Sequence, residues 1–336
     1  MKIAIISFTD KGDLKNREIA GFFEEYEVIS SLKKERDETL AEWTLSNFNE
    51  NDALIFVGAA GIAVRAIAPF VRKKDIDPAV IVCDELGKFV IPILSGHIGG
   101  ANELAGYLAE RMGAIPVITT ATDINNIWAV DTWAKKKGYY IWPVSKIKDI
   151  SGSLLKGEKV GITSPLFSDI KEIFGNDIPE GLEFNNEKLP NGISVSPYKN
   201  NMYKNTIHLV PKCITIGAGS KKDAAENALC ELVDRLLDEN GIFKQAVKEI
   251  ATIDIKKEEK SILKLGEYLG VPVRFFSAEE LNAVEGDFEA SEFVKSITGT
   301  DNVCERSTIR AMDGGRIIIP KTKGVGVTVS VGLNIP

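Results

Sequence analysis

Ser95-Gly96-His97-Ile98-Gly99-Gly100-Ala101-Asn102-Glu103 sets a histidine among three glycines in five positions, and Thr119-Thr120-Ala121-Thr122-Asp123 follows with hydroxyls and a carboxylate. Imidazole is the side chain best suited to move protons near neutral pH. Glycines disfavour order unless the backbone must approach something closely, so a loop this rich in them suits a ligand held against main-chain N–H groups. The plainer alternative is a loop leading into a helix, in which His97 only hydrogen-bonds the backbone. The other histidine, His208, lies in Thr206-Ile207-His208-Leu209-Val210 and reads as a strand residue with a structural partner.

Other segments carry weaker signals. Gly58-Ala59-Ala60-Gly61 joins an apolar run to a short helix, where free N–H groups can receive an anion, with Arg65 one turn on. A tight turn with no ligand explains the same glycines. Asp123 either caps the next segment or joins Thr119, Thr120 and Thr122 in facing a ligand. Ile216-Gly217-Ala218-Gly219-Ser220-Lys221-Lys222 lacks the spacing of a phosphate loop, no G-x-G-x-x-G follows a strand, and no G-x-S-x-G is present. Lys321 and Lys323, expected in a turn between two strands, are either solvated cations or anion contacts.

Those residues need a scaffold, and the hydropathy pattern describes one. Ala53-Leu54-Ile55-Phe56-Val57, Ala79 to Cys83 and Phe89 to Ile93 are apolar runs of strand length. Leu104, Ala105, Leu108, Ala109 and Met112 have helical spacing, and Gly113 is a C-terminal stop. Strand and helix alternate, which predicts an α/β fold with a mostly parallel sheet in an N-terminal domain over 1–130. Ligands sit at the carboxyl ends of parallel strands. Gly58, Asp84, Ser95 and Thr119 each follow such an end, so all four are expected to line one crevice. Residues 131–210 read as a small middle module and linker, with a loop-rich stretch from Gly175 to Tyr203. Residues 211–336 read as a separate α/β C-terminal domain.

Composition narrows the function. At 336 residues the chain exceeds the usual single core. Four scattered cysteines and two histidines count against a zinc site, and the thiols read as reduced and buried. A net charge of −7 argues against nonspecific nucleic-acid binding, though not against a local basic pocket. No apolar run reaches the ~18 residues of a membrane helix, and the first eight residues read as a buried strand, not a secretory signal. The expected location is the cytoplasm.

Several strings resemble the cobalamin-biosynthesis protein G family. They are Gly61-Ile62-Ala63-Val64-Arg65-Ala66-Ile67-Ala68-Pro69, Asp77-Pro78-Ala79-Val80, Leu94 to Leu104 and Pro116 to Asp123. Toward the C-terminus come Ala251 to Asp254, Arg274 to Leu281, Ser291 to Lys295 and Pro320 to Gly324. The terminal part also resembles a stand-alone protein of the aerobic pathway. One string departs: Gly217-Ala218-Gly219-Ser220-Lys221 stands where the family has glycine, cysteine and arginine, so no role of that cysteine carries over. The resemblance implies a cobalt-precorrin-5A hydrolase of anaerobic vitamin B12 synthesis, which opens the ring-A δ-lactone and releases acetaldehyde to give cobalt-precorrin-5B. It implies no cofactor or protein-bound metal, because cobalt travels with the substrate.

Under that reading His97 is the base, and the backbone N–H groups of Gly96, Gly99 and Gly100, with the Ser95 or Thr120 hydroxyl, face the oxyanion. Gly58, Gly61, Arg65, Asp84, Gly96, Gly99, Gly100, Asn102, Glu103, Thr119, Thr120, Thr122, Asp123, Lys321 and Lys323 contact the substrate. The macrocycle's carboxylates require cations, for which Arg65, Lys88, Arg274, Lys321 and Lys323 are candidates. Expected partners are the cobalt-corrinoid substrate, neighbouring enzymes of the pathway and a second copy of the chain, with no nucleic acid or membrane. The alternatives are a non-catalytic carrier for a corrinoid intermediate and a phosphate-dependent enzyme using the glycine turns.

Overall fold

Three sheets organise the described residues. The computed structural model describes residues 1–73, 76–312 and 314–334. Contacts divide the chain into two compact units, Met1–Lys135 with Leu154–Lys156, and Lys136–Ser153 with Gly157–Pro336.

The first unit holds β1 (Lys2–Ser7), α1 (Asp10–Gly21), β2 (Glu27–Ser31), α2 (Leu40–Asn47), β3 (Ala53–Val57), α3 (Ala60–Ile67), β4 (Ala79–Cys83), β5 (Phe89–Leu94), α4 (Ala101–Met112), β6 (Ile115–Pro116), α5 (Ala121–Ile124) and α6 (Val130–Lys136). Its sheet runs β2-β1-β3-β4-β5-β6. The strands β3 and β4 are apolar throughout, and β1 is so from Ile3 to Ile6, because helices cover both faces. Ile3, Ile5, Ile55 and Ile81 enter one core with Ile19 of α1 and Leu108 of α4. Their neighbours Ala4, Ile6, Phe56 and Val82 enter the other with Trp43 of α2 and Ile67 of α3. Thr39 and Glu42 form a reciprocal cap that starts α2.

All pairings in this sheet are parallel except β4 with β5. Cys83 pairs with Val90 and Val80 with Leu94, so the chain leaves β5 at the edge where β4 begins. Strand β6 is parallel to β5 and leaves at that same edge. This overturns the expectation of one shared crevice: Gly58 and Asp84 lie at one edge of the sheet, Ser95 and Thr119 at the other. The reason is the short Asp84–Lys88 connection. Its Gly87 has φ +68°, and the Asp84 carboxylate accepts N–H groups of Leu86 and Phe89 at 2.9 and 2.6 Å. A parallel crossover needs a dozen or more residues, so a turn this tight reverses the strand.

In the second unit β7 (Tyr140–Trp142), α7 (Ile147–Leu155), β8 (Val160–Thr163), α8 (Ile170–Phe174), β9 (Leu182–Phe184), β10 (Asn191–Val195) and β11 (Asn205–Val210) build the sheet β7-β11-β10-β8-β9. The stretch expected as loop thus carries two strands. Gly161 and Gly192 make room there for the Tyr203 ring, which a Cβ on Gly192 would meet at 2.2 Å.

The remaining elements are β12 (Ile214–Ser220), α9 (Ala228–Glu239), β13 (Val247–Ile253), α10 (Lys260–Leu269), β14 (Val273–Phe276), α11 (Ala278–Asn282), α12 (Glu292–Thr298), α13 (Cys304–Ala311), β15 (Arg316–Lys323) and β16 (Val327–Leu333), in the sheet β14-β13-β12-β16-β15. Helices α9 and α10 pack on one face through Leu229, Val233, Ile262 and Leu265. The glycines of β12 admit α13 to the other face: a Cβ on Gly217 would lie 2.0 Å from the Cys304 carbonyl oxygen. The Gly217-Ala218-Gly219 run is therefore strand, its glycines serving close helix approach. Lys321 and Lys323 end β15 and do not form the turn, which falls at Gly324–Gly326. Among the described residues no helix is long and apolar enough to cross a membrane.

Candidate functional site

The loop between β5 and α4 wraps on itself. Ser95 stands at φ +56°, a conformation that non-glycine residues rarely adopt, and its buried hydroxyl donates to the Asp77 carbonyl at 2.9 Å. Ala101 N–H reaches the Ser95 carbonyl (3.2 Å), Gly100 N–H that of His97 (2.9 Å) and Asn102 N–H that of Gly96 (3.0 Å). Only glycine fits at 99, where a Cβ would lie 2.3 Å from the Ser95 Cβ and 2.6 Å from its carbonyl oxygen. The wrap lifts the His97 ring toward α5 and α6.

There the ring meets two carboxylates. His97 Nε2 is 2.8 Å from Asp123 Oδ2 and 3.2 Å from Thr122 Oγ1. Nδ1 is 3.6 Å from Asp131 Oδ2. The Asp131 side chain is 5% exposed, His97 17% and Asp123 35%, so Nδ1 faces inward and Nε2 faces the open side. The Asn102 amide donates to both Asp123 Oδ2 and Thr120 Oγ1 at 2.9 Å, which fixes that carboxylate. Lys135, one turn after Asp131 on α6, donates to the Ile98 carbonyl at 2.8 Å and puts a cation on the glycine loop.

The structure thus brings together His97, the Gly96–Gly100 loop, Asn102, Thr120, Thr122 and Asp123. Glu103, in the first turn of α4, and Thr119, after β6, are exposed on the same side of the sheet. Ser95 is not a reacting hydroxyl, because its proton is committed to Asp77. Gly100 is no oxyanion donor, because its N–H is held by His97; Gly96 and Gly99 remain.

Gly58, Gly61, Arg65 and Asp84 do not join His97. Gly58 serves packing, since a Cβ there would meet the Phe8 ring at 2.8 Å, and the Asp84 carboxylate is occupied by its own turn. Arg65 is exposed and folds back toward Gly61. Lys88 precedes β5 at that same far edge, and Arg274 lies in the second unit paired with Glu249 at 3.3 Å. Lys321 and Lys323, also in the second unit, hold Glu289, whose carboxyl they keep below its ordinary range: Lys323 Nζ is 2.7 Å from Oε1, and Lys321 Nζ 3.1 Å from the carbonyl.

Sequence reasoning missed Asp131 and Lys135. Their i, i+4 spacing on α6 was the available signal, but an acidic residue in a first turn followed by a lysine is common on any solvated helix. His208 is structural: it is buried between the Trp142 and Phe243 rings, with Nε2 3.1 Å from Asn201 Oδ1. Burial pulls it down to about 4. All four cysteines are buried and unpaired, and burial pushes Cys83 and Cys213 up to about 12. Among the described residues no group of His, Cys, Asp and Glu side chains could hold a metal ion.

The chain belongs to the cobalamin synthesis G family. The profile described as cobalamin synthesis G N-terminal matches residues 42–123, and that of the cobalamin synthesis G C-terminus matches 214–332. The chain is 34% identical over 294 residues to a Salmonella typhimurium protein named cobalt-precorrin-5A hydrolase, covering 85% of this chain and 83% of that one. It is 28% identical over 301 residues to a Priestia megaterium protein of the same name, covering 86% and 80%. The solved structure of a cobalamin biosynthesis protein G homolog from Sulfolobus solfataricus aligns over 99% of this chain and 97% of its own, with 23% identity and a TM-score of 0.41.

Proposed function

We propose that this protein is a cobalt-precorrin-5A hydrolase, and that the His97 site performs the proton transfers. The observation that carries the reading is the 34% identity to a protein of that name across most of both chains. His97 and Asp123 fall inside the segment matched by the N-terminal profile, and the approach of Asp123 and Asp131 to the imidazole supports the choice of His97 as the base.

The chemistry has two steps. Water adds to the lactone carbonyl, the ring C–O bond breaks, and a carboxylate and an alcohol result. The alcohol then loses its proton, its oxygen forms a carbonyl, and the carbon–carbon bond to the macrocycle breaks. Acetaldehyde leaves, and the electron pair passes into the conjugated ring before protonation. At rest His97 Nε2–H is donated to Asp123. With the ring proton moved to Nδ1, which faces Asp131, Nε2 takes the proton from water, returns it to the departing lactone oxygen, and then takes it back from the alcohol in the second step. Asp131 receives Nδ1–H and offsets the charge that develops on the ring. Its 3.6 Å separation suits a contact that tightens when substrate closes the site. Asp123 and Thr122 hold the water beside Nε2, and the Gly96 and Gly99 N–H groups face the oxyanion. The reading assigns the protein no cofactor; cobalt is part of the substrate. A carrier that only held the macrocycle would have no use for an imidazole flanked by two carboxylates.

Incubation with cobalt-precorrin-5A tests the reading. Stoichiometric acetaldehyde, measured by NADH oxidation through alcohol dehydrogenase, is the expected result. Unchanged substrate, with the protein folded, would refute it.

A further inference from the structure

The His97 edge gathers carboxylates, whereas a macrocycle ringed by acetates and propionates must be held by cations. Those cations concentrate elsewhere. In the second unit a cavity of about 760 Å³ opens between α12, the end of β12 and the end of β15. Lys221, Lys222, Lys256, Lys321 and Lys323 line it against only Glu289 and Asp301, in a chain whose net charge is −7. Lys221 and Lys222 form no ion pair with another described residue, whereas Lys256 is paired with Glu259 at 3.3 Å. Glu289 is spanned by Lys321 and Lys323, and Asp301 is paired with Arg306 at 2.9 Å, so the remaining charge is positive.

One wall is apolar. Phe293 and Ile297 lie one turn apart on α12 and are 65% and 60% exposed, while Val294 turns back into the core. Ser291 caps this helix through the Val294 N–H, so the helix is held in place with its apolar face open. The Ser220 hydroxyl, at the cavity wall, is out of solvent and has no hydrogen-bond partner. An exposed apolar patch beside the unpaired ammonium groups of Lys221 and Lys222 matches a ligand with an apolar face and a carboxylate rim.

We propose that this cavity in the second unit is a binding site for a tetrapyrrole-type polycarboxylate, its ring face laid on Phe293 and Ile297 and its carboxylates on the surrounding lysines. The ligand class rests on the function proposed above. The site itself rests on the cavity, and the two can fail separately.

Uroporphyrin III, a fluorescent macrocycle ringed by acetates and propionates, serves as the probe. It is titrated into the full chain at low salt. Lys222→Glu and Lys188→Glu change net charge equally, but Lys188 is an exposed residue of the middle sheet region, outside the cavity. The site predicts that Lys222→Glu weakens binding by ~10-fold or more, as losing a charged contact does, with Lys188→Glu close to wild type. Phe293→Ser weakens it ~10-fold or more through lost apolar burial. Salt weakens wild-type binding. None of these side chains is buried, and thermal melting verifies that each variant folds. Three results would each overturn the proposal. They are no binding by the wild type, equal losses for the two lysine reversals, or a Phe293→Ser variant that binds as wild type while citrate displaces the probe at equal concentration. Acetaldehyde release by the wild type, assayed apart, decides the reaction and leaves the cavity result unaffected.

Discussion

Replacing Gly99 with alanine puts a methyl carbon 2.3 Å from the Ser95 Cβ and 2.6 Å from the Ser95 carbonyl oxygen. Carbons prefer to sit ~3.5–4.0 Å apart, and one of the two obstacles is main chain, so no rotamer change relieves the contact. The loop must open, breaking the Ala101-to-Ser95 and Gly100-to-His97 hydrogen bonds that hold His97 against Asp123. Overpacking of this kind costs ~1–3 kcal/mol, and each kcal/mol lowers the melting temperature of a unit this size by ~2–4 °C. A displacement of about 1 Å at the base costs ~10²-fold in turnover, so activity falls far more than stability does. The assay pairs acetaldehyde release at saturating substrate with a melting curve. Gly106, on α4, is the control: nothing lies within 4 Å of its Cβ position, so Gly106→Ala keeps full activity and stabilises the helix by ~0.5–1 kcal/mol. A Gly99→Ala protein with wild-type turnover would refute the claim that the loop's wrap positions His97.

Asp131→Asn keeps the shape of the buried carboxylate but removes its charge from Nδ1, and lowers kcat by ~10²-fold with KM little changed; unaltered kcat would remove Asp131 from the mechanism. Ser95→Ala leaves the Asp77 carbonyl without its donor and destabilises the first unit by ~1–3 kcal/mol, while turnover stays near wild type. A collapse in rate with unchanged melting would restore Ser95 as a reacting group. His208 takes a proton in the unfolded chain near its ordinary ~6.5 but resists it in the fold down to about 4. Its contribution to the second unit is therefore complete above pH 6.5 and is lost as pH falls toward 4, about 3 kcal/mol in all. Denaturant melts across that window detect it, and His208→Gln flattens the slope; an identical slope in the variant would contradict the assignment.

Much of the first unit was legible because β1, β3 and β4 are buried on both faces, and such strands announce themselves as unbroken apolar runs. The direction of β5 was not read, although its cause was in view. The Asp84–Lys88 turn is too short for a crossover, whatever direction the surrounding alternation of strand and helix suggests. That one reversal carried Ser95, His97 and Thr119 to the far edge from Gly58 and Asp84, and so divided the expected crevice in two. His97 and Asp123 were legible from residue type and loop composition. Asp131 was not, because its approach to Nδ1 is made by the packing of α6 and leaves no mark in local spacing. The middle sheet was hidden for a related reason: β9 and β10 are short and flanked by Asn, Pro and Gly, and Gly161 of β8 and Gly192 of β10 answer to the Tyr203 ring rather than to turns. In the second unit Ser291 is a helix cap, and nothing in its own segment points to a cavity. The exposed Phe293 and Ile297 beside Lys321 and Lys323 acquire meaning only once β12, β15 and α12 meet around one cavity.

The central claim is that His97 moves the protons, and its most direct test is acetaldehyde release from cobalt-precorrin-5A by His97→Ala and His97→Gln beside the wild type. With 17% of the side chain exposed and a hydrogen bond to a surface-facing carboxylate, His97 contributes little to the core, so both variants melt close to the wild type. Loss of a general base lowers the rate by ~10²–10⁴-fold. Folded variants with that loss are the result the account predicts. Folded variants that release acetaldehyde at near wild-type rates would contradict it.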